Sequence, residues 1–337
     1  MKRISSPNKR ADYFKRHFST FIPHLTLKKI INLLINEIEM QLSIASPKSF
    51  PPYIKVEPTP LCHLRCPGCL QKDYDFKKSL LKLNNGIMYL SLENLKTIIN
   101  PIRNTLIGVS LSHYGEPMLN PRLSSLIEYL HNNNIAVNFP TNLSIKLSDD
   151  QIVRLVKSGL DCIEVSLDGA TEDSYNMYRV GGDFKLVLKN VRSLANTKRD
   201  LGTKRPRIVW KFIEFEHNKN EIEMLSRLYK DMGFDSYEIM CDNRSKNYKD
   251  VTEKDNKNMI EAKKTCYWLW NTITVRWDGS VRPCCTFSDE INLGNAIEND
   301  IKKIWQSQKY KSLREGFNKK YYGQKMESMC KRCIGMN

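Results

Sequence analysis

Six strand-like runs alternate with five helix-like runs between Tyr53 and Cys241 of this 337-residue chain. Runs of aliphatic, β-branched and aromatic residues predict strands, and apolar residues at three- and four-residue spacing predict helices. The predicted strands cover residues 53–58, 105–112, 135–140, 161–167, 207–215 and 236–241. The predicted helices cover residues 91–101, 121–133, 149–158, 183–196 and 219–232. This alternation favours a parallel sheet with right-handed crossovers, either doubly wound or curved into an incomplete barrel.

The first fifty residues differ from the α/β region that follows them. They combine a basic arm with a predicted amphipathic helix over residues 25–42. The apolar residues of this helix recur at helical spacing: Ile30, Leu34, Ile38 and Leu42. Such a face predicts one of two arrangements, packing against the α/β domain or lying in a membrane interface.

The pattern changes again near residue 262. Asp278-Gly279 lies between two short apolar runs and predicts a two-residue β-hairpin turn. A helix is predicted over residues 299–317, and a cysteine-rich tail follows it. We therefore expect three parts, over residues 1–50, 51–245 and 246–337.

The charge of the chain favours an acidic partner. There are 53 Lys and Arg residues against 37 Asp and Glu residues, a formal charge of +16. Nucleic acid, an anionic membrane, a phosphorylated or nucleotide-linked substrate, or an acidic carrier protein would all satisfy it. No apolar run is long enough for a transmembrane helix, and no signal-peptide pattern is evident. We expect a cytoplasmic protein, in which the ten cysteines do not form disulfides.

Three cysteines lie on one loop directly after the first predicted strand. Cys62, Cys66 and Cys69 form the spacing C-x3-C-x2-C. Three thiolates can hold three irons of a four-iron cubane and leave the fourth iron open to an exogenous amine and carboxylate. A structural zinc ion is the alternative, but it requires four ligands, and His63 beside Cys62 is poorly placed to be the fourth.

The segment EPTPLCHLRCPGC resembles the cluster loop of the radical S-adenosylmethionine (SAM) superfamily. In that family the open iron binds SAM, and one electron cleaves SAM to methionine and a 5′-deoxyadenosyl radical. Gly68 departs from the aromatic residue often found before the third cysteine. The resemblance implies an α/β fold, an incomplete (β/α)6 TIM-like barrel with a small C-terminal Fe–S cluster domain. It also implies a 4Fe-4S cluster on the three cysteines and SAM bound in the mouth of the barrel.

The resemblance extends to motifs that follow the second, third and fourth predicted strands. It implies cofactor contacts for six residues: Gly115, Glu116, Asn142, Ser166, Asp168 and Arg179. Glu116 would receive the methionine ammonium of SAM, and Arg179 would pair with the methionine carboxylate. From the residues alone, Gly-Glu-Pro is equally a turn, Thr141-Asn142 an Asx turn, Asp168 a helix cap and Arg179 a solvated charge.

Five cysteines lie beyond the predicted barrel. The segments DGSVRPCC and LGNAIENDIKKIW, with the cysteine spacing, resemble the short single-cluster form of the SPASM domain, also called a twitch domain. The resemblance implies a second, auxiliary 4Fe-4S cluster on four of them: Cys266, Cys284, Cys330 and Cys333. Adjacent Cys284 and Cys285 point to opposite sides of an extended strand, so one of the two is expected to bind, and the spacing favours Cys284. A zinc ribbon is the alternative.

These features predict a radical SAM enzyme of the oxidoreductase type, which abstracts a hydrogen atom from a small-molecule, lipid-linked or peptide substrate. The resemblance implies an electron donor such as flavodoxin or ferredoxin. Electron transfer to the auxiliary cluster would give net oxidation, as in peptide or sugar maturation. Without this electron transfer, epimerisation is the open alternative. Cys241, at the end of the sixth strand, is then a candidate hydrogen donor. A structural role is the alternative for this residue.

Two rival functions agree with part of the pattern. A radical methyltransferase or RNA-modifying enzyme would suit the basic charge, and a non-enzymatic zinc or Fe–S protein that binds nucleic acid would suit the cysteines. We find no basic–aromatic stripe, so nucleic acid is not the expected partner. The strand-end motifs also disfavour a protein without catalysis. Peripheral membrane contact through the N-terminal helix remains an open alternative.

Overall fold

The structure is a computed structural model that describes residues 19–72, 86–241, 266–284, 291–318 and 325–334. For residues 332–334 it describes only the backbone. The chain divides into two compact units. The first unit comprises residues 1–24, 57–92 and 110–245, and the second comprises residues 25–56, 93–109 and 246–337.

The described residues form nine strands joined by helices. The strands are β1 (Tyr53–Val56), β2 (Gly108–Leu111), β3 (Ala136–Thr141), β4 (Cys162–Ser166), β5 (Arg207–Glu214), β6 (Ser236–Cys241), β7 (Thr272–Val275), β8 (Ser280–Arg282) and β9 (Gly294–Asn295). The helices are α1 (Leu27–Gln41), α2 (Leu92–Ile99), α3 (Leu123–Asn132), α4 (Asp149–Lys157), α5 (Glu172–Tyr178), α6 (Phe184–Asp200), α7 (Ile222–Leu228), α8 (Tyr267–Asn271), α9 (Ile301–Trp305), α10 (Gln308–Glu315) and α11 (Ser328–Ile334).

The first unit is built on β3, β4, β5 and β6, which pair in parallel in that order. Alternate side chains of a strand point to opposite faces of the sheet. One face carries fully buried apolar side chains such as Ile163, Trp210 and Phe212. The other face is polar, because Asn138 on β3, Glu164 on β4 and Lys211 on β5 share it.

The second unit contains β1, which pairs in parallel with β7, and an antiparallel extension through β8 and β9. The predicted hairpin around Asp278-Gly279 is confirmed. Gly279 has φ +83°, a left-handed conformation that favours glycine, and a Cβ atom there would lie 2.3 Å from Asn295 Oδ1.

Strand β2 lies between β1 and β3 in the strand order. The strand order β6-β5-β4-β3-β2-β1 confirms the predicted α/β class with six parallel strands.

The helix predicted over 299–317 is two helices, α9 and α10. The break has a local cause, because the Ser307 hydroxyl accepts a hydrogen bond from the Tyr310 N–H and caps a new helix. Helix α5 was not among the predicted helices, although Thr171 and Ser174 form a capping box at its start.

Helix α1 confirms the predicted N-terminal helix, and Thr26 caps it. Its apolar face, however, is exposed: Leu34 is 59% and Ile38 57% accessible. Within the described part of the chain, the alternative that this face packs against the protein is therefore wrong. None of the helices described here combines the length and the apolar character that a membrane crossing requires.

Candidate active site

The three-cysteine loop follows β1 and packs as a small apolar cluster within the first unit. Buried Leu64, Cys66 and Tyr178 form its centre, and Cys62 and Cys69 contact them. Backbone hydrogen bonds fix its course, one from Cys69 N to Cys66 O (3.2 Å) and one from Arg65 N to Val180 O (2.9 Å). The three predicted thiols therefore belong to one folded loop.

Gly68 has a conformational reason to replace an aromatic residue before the third cysteine. Its φ is +73°, in the left-handed region that is strained for residues with a Cβ atom. The departure from the family pattern therefore suits the backbone of this loop.

The Gly-Glu-Pro segment lies against the start of the cysteine loop. Glu116 N donates to Leu61 O at 2.7 Å, one residue before Cys62. Gly115 has no room for a side chain, because a Cβ atom would lie 1.9 Å from the carbonyl oxygen of Thr59. The close approach of this loop to Thr59 therefore requires a glycine, and the predicted cofactor contact of Gly115 stays a prediction.

Glu116 is 3% exposed, and three donors hold its carboxylate. Thr141 Oγ1 donates to Oε1 at 2.5 Å, the Asn142 N–H to Oε2 at 2.7 Å, and the Met118 N–H to Oε1 at 3.1 Å. Burial raises the pKa of Glu116, and these hydrogen bonds act in the opposite direction. The carboxylate joins the ends of β2 and β3.

Asn142 connects this carboxylate to the cysteines. Its side-chain Nδ2 lies 3.8 Å from Cys62 Sγ and donates toward the sulfur. Its Oδ1 accepts a hydrogen bond from Ser144 N at 2.9 Å, an Asx-type turn that fixes the amide. The Asx turn that was the alternative for Thr141-Asn142 is therefore present, and the predicted contact of Asn142 with the cofactor stays a prediction.

Asp168 holds Arg179 beside a second cysteine. Arg179 Nε donates to Asp168 Oδ2 at 2.7 Å, and Arg179 Nη1 lies 3.9 Å from Cys66 Sγ. The other Asp168 oxygen accepts from Ile213 N at 2.7 Å. The cap of α5 is Thr171, so Asp168 does not have the capping role that was its alternative. Arg179 is likewise a positioned buried charge, with its side chain 11% exposed.

Charge and burial act together on these groups. Burial raises the pKa of the Cys62 thiol to about 12, and the nearby Glu116 charge raises it further. Burial lowers the pKa of Arg179, but the charges of Asp168 and Cys66 outweigh this effect, so the guanidinium stays protonated. A buried thiol with a raised pKa stays protonated unless a nearby cation stabilises the thiolate. A metal ion that binds the sulfur is such a cation and displaces the proton.

The donor set of the loop fits an iron–sulfur cluster, in which each cysteine binds a different iron. Cys62 and Cys69 pack against the cluster that contains Cys66, so the three cysteines lie in one region. In the described ranges there is no group of three His, Cys, Asp or Glu side chains arranged to hold a single metal ion.

The polar face of the sheet in the first unit lies on the strands that carry the site. Glu164, 5% exposed, accepts hydrogen bonds from Asn138 Nδ2 (2.8 Å) and Lys211 Nζ (2.9 Å). Ser166 lies on the same strand face, in register with Lys211. Cys241 ends β6 opposite Glu214 and is partly exposed. Sequence reasoning missed this network, since its members are isolated polar residues in apolar strands.

A second group of cysteines lies in the second unit. Cys266 precedes α8, Cys284 follows β8, and buried Cys330 lies on α11. Burial raises the pKa of Tyr310, and the charges of Cys284 and Cys266 add to that effect, which places both thiols near its hydroxyl. Cys285 and the side chain of Cys333 lie outside the described residues.

Arg314 braces this region. Its guanidinium lies 4.1 Å from the Trp305 ring centre and 4.5 Å from that of Tyr310. It donates to the carbonyl oxygens of Leu269 (2.9 Å) and Trp305 (3.0 Å). Arg314 therefore links α10, which carries Tyr310, to α9 and to α8, which follows Cys266.

Two family models match the chain. A radical SAM superfamily model covers residues 56–203, and an iron–sulfur cluster-binding SPASM model covers residues 266–334. The GTP 3′,8-cyclase of Clostridium botulinum is 25% identical over 285 residues, which is 74% of this chain and 85% of that protein. The mycofactocin maturase MftC of Mycobacterium tuberculosis is 27% identical over 139 residues, 41% of this chain and 33% of that protein.

The fold has a counterpart among solved structures. Streptococcus suis SuiB bound to S-adenosylmethionine superposes with a TM-score of 0.62 at 14% identity, over 90% of this chain and 79% of SuiB. The parallel sheet of six strands is typical of a partial radical SAM barrel, as predicted. The family models, in the predicted order along the chain, identify this protein as a member of the radical SAM superfamily with a C-terminal SPASM iron–sulfur domain.

Proposed function

We propose that the chain is a radical SAM enzyme that takes a hydrogen atom from a C–H bond of a polar substrate. When bound, the first cluster and SAM supply a 5′-deoxyadenosyl radical, with the electron coming from a flavodoxin- or ferredoxin-type donor. One observation carries the proposal. Residues that follow three neighbouring strands converge on the cysteine loop, with Asn142 at Cys62 and Arg179 at Cys66.

In this proposal Cys62, Cys66 and Cys69 hold three irons of the first cluster. Asn142 and Arg179 direct N–H groups at two of these sulfurs, and hydrogen bonds of this kind stabilise thiolate charge. Asp168 keeps Arg179 charged and oriented, so Asp168 is a positioning residue.

The remaining predicted residues would bind SAM. Glu116 offers a buried negative charge to its ammonium, and Arg179 a positive charge to its carboxylate. The two side chains interact electrostatically, so both ends of an amino acid zwitterion find an opposite charge in one region. Gly115 keeps the Glu116 loop against the cysteine loop, and Ser166 is the candidate ribose or carboxylate contact.

The polar sheet face favours a substrate rich in hydrogen-bonding groups. Asn138, Glu164 and Lys211 already form one network there, and Glu238 on β6 lies in register with Lys211. A charged network near the site of radical formation suits a polar small molecule, a peptide, or the polar part of a lipid-linked compound. The similar proteins include a GTP 3′,8-cyclase, and SuiB has been solved with the precursor peptide SuiA.

The C-terminal cysteines would hold an auxiliary 4Fe-4S cluster through Cys266, Cys284, Cys330 and Cys333. A cluster that accepts one electron from the substrate radical, while a proton leaves to solvent, would make the net reaction an oxidation. Epimerisation is the alternative, in which Cys241 returns a hydrogen atom. Incubation in D2O separates the two, since deuterium at the reacting carbon requires a donor exchangeable with solvent, and Cys241→Ala should abolish its incorporation.

Cluster content provides the first test. Anaerobically reconstituted protein should hold about eight irons and eight sulfides, from two cubanes. The triple Cys62/Cys66/Cys69→Ala variant should hold about half of this amount and form no 5′-deoxyadenosine. Cys162→Ala is the matched control, because Cys162 is a fully buried thiol on β4, and this variant should keep all the iron. Stoichiometric zinc in the native C-terminal site would contradict the auxiliary cluster.

Substrate class is tested by label transfer. Reduced enzyme with SAM should form 5′-deoxyadenosine, and a deuterated true substrate should transfer its label into that product. GTP, peptides and lipid-linked sugars form the panel. Glu164→Gln and Lys211→Met should raise the substrate KM by about tenfold or more and leave substrate-free SAM cleavage unchanged. The polar-face argument fails if both variants keep the wild-type KM.

A further inference from the structure

Helix α1 presents a continuous apolar face that the described chain leaves uncovered. The large aliphatic side chains of this face are between 39% and 74% exposed. They are Leu27, Ile30, Ile31, Leu34, Ile35, Ile38 and Leu42. Their spacing of three, four and seven residues places them on one side of the helix. We call these seven residues the α1 apolar face.

The opposite side of α1 is polar, buried and bonded. Asn36 Nδ2 donates to Trp270 O at 2.6 Å, and Asn32 exchanges two hydrogen bonds with the backbone of Phe50. Glu39 accepts from the N–H groups of Lys48 (2.6 Å) and Ser49 (3.0 Å). These long-range bonds fix the rotation of the helix, because turning the apolar face inward would break all of them.

Surface hydrophobic residues scattered singly are ordinary, but a contiguous patch marks an interaction site. The chain that carries this patch is basic, with a formal charge of +16, and exposed Lys28 follows Leu27 on α1. Residues 1–18, which lie outside the described part of the chain, carry six cations and one acid. These cations are Lys2, Arg3, Lys9, Arg10, Lys15 and Arg16.

We propose that α1 docks on an anionic phospholipid surface. The α1 apolar face enters the boundary between headgroups and acyl chains, and the net positive charge of the chain favours anionic headgroups. Charge selects this partner over a second copy of the chain, since two copies that each carry a formal charge of +16 repel one another. The inference is independent of the reaction proposed above and holds for any polar substrate.

Vesicle co-sedimentation of the full-length protein tests the docking. The probe is phosphatidylcholine with phosphatidylglycerol, compared with phosphatidylcholine alone. The substitution pair Leu34→Asp/Ile38→Asp alters the α1 apolar face at two exposed positions. The matched control is Leu201→Asp/Met224→Asp, which adds the same charge at two exposed hydrophobic positions elsewhere, 42% and 39% accessible.

Wild type and control should bind the anionic vesicles, with the affinity of the α1 pair reduced at least about tenfold. Raising the salt from about 0.1 M to about 1 M should weaken wild-type binding, since the Debye length falls from about 10 Å to about 3 Å. Equal binding by all three proteins would overturn the proposal, as would no binding by wild type. A concentration-dependent dimer that the α1 pair abolishes would assign the face to a second copy instead. Vesicle binding that the α1 pair retains and that deletion of residues 1–18 abolishes would also overturn the proposal, since it would assign the binding to the arm.

Discussion

Replacing Gly115 with alanine tests how closely the Glu116 loop must lie to the cysteine loop. The added Cβ atom would lie 1.9 Å from Thr59 O and 2.8 Å from the carbonyl carbon of Pro60, both backbone atoms. Cβ atoms essentially never approach a heavy atom within 3.0 Å, so one loop must move by at least about 1.1 Å. A side chain that rotates away cannot relieve this contact.

The displacement would reach the proposed site through one backbone hydrogen bond, which joins the Glu116 loop to the cysteine loop. Glu116 N donates to Leu61 O at 2.7 Å, and Leu61 precedes Cys62. Overpacking of this kind costs roughly 1–3 kcal/mol of stability. A misplacement of about 1 Å lowers a rate by on the order of 10²-fold. Gly115→Ala should therefore keep most of its iron, bind SAM more weakly and form 5′-deoxyadenosine about a hundredfold more slowly.

The assay is anaerobic 5′-deoxyadenosine formation, with iron analysis and thermal unfolding on the same samples. Gly86→Ala is the control, because a Cβ atom at Gly86 meets nothing within 4 Å. Its positive φ of +78° costs stability without touching the loop pair. A Gly115→Ala enzyme with wild-type SAM affinity and rate would refute the close-contact reasoning.

Three further outcomes follow from buried side chains. Asp168→Asn removes the counter-charge of Arg179 and should slow SAM cleavage by about 10- to 100-fold at unchanged iron content, measured as above. Burial lowers the pKa of Lys29 to about 8, so this residue binds more protons in the unfolded chain between about pH 8 and 10.5, and its contribution to wild-type stability should rise with pH there. Lys29→Met should remove this rise and add roughly 1–3 kcal/mol below pH 8, measured by urea unfolding; an unchanged pH slope would refute it. Tyr310→Phe removes a buried hydroxyl that has no hydrogen-bond partner in the described structure. This substitution should lower the reduction potential of the second cluster and leave that of the first cluster unchanged, as measured by redox titration.

The sequence predicted the six strands of the sheet because their residues are apolar, β-branched and bounded by polar turns. It also predicted the strand-end motifs, since each follows directly on its strand. It did not predict that Asp168 binds Arg179, because a loop and a helix lie between them and periodicity carries no information on such pairs. The network of Asn138, Glu164 and Lys211 was missed for the same reason.

The orientation of α1 shows a different limit. Apolar spacing identified the helix and its faces, but not which face packs. Hydrogen bonds from Asn36 to Trp270 and from Ser49 to Glu39 determine which face packs. Trp270 and Ser49 lie outside the helix, so the apolar spacing within the helix carries no information about them. The break at Ser307 was readable in principle, since serine before a helical run is a capping signal. The predicted long helix ignored it.

The exposed α1 apolar face has a practical consequence for imaging this protein. A protein that exposes aliphatic side chains on one helix is surface-active, because an air–water interface accepts those side chains as readily as an oil phase does. In the thin aqueous film of an electron-microscopy grid, most particles should adsorb through α1 and show the same view. A detergent below its micelle concentration, or the Leu34→Asp/Ile38→Asp protein, should randomise the views.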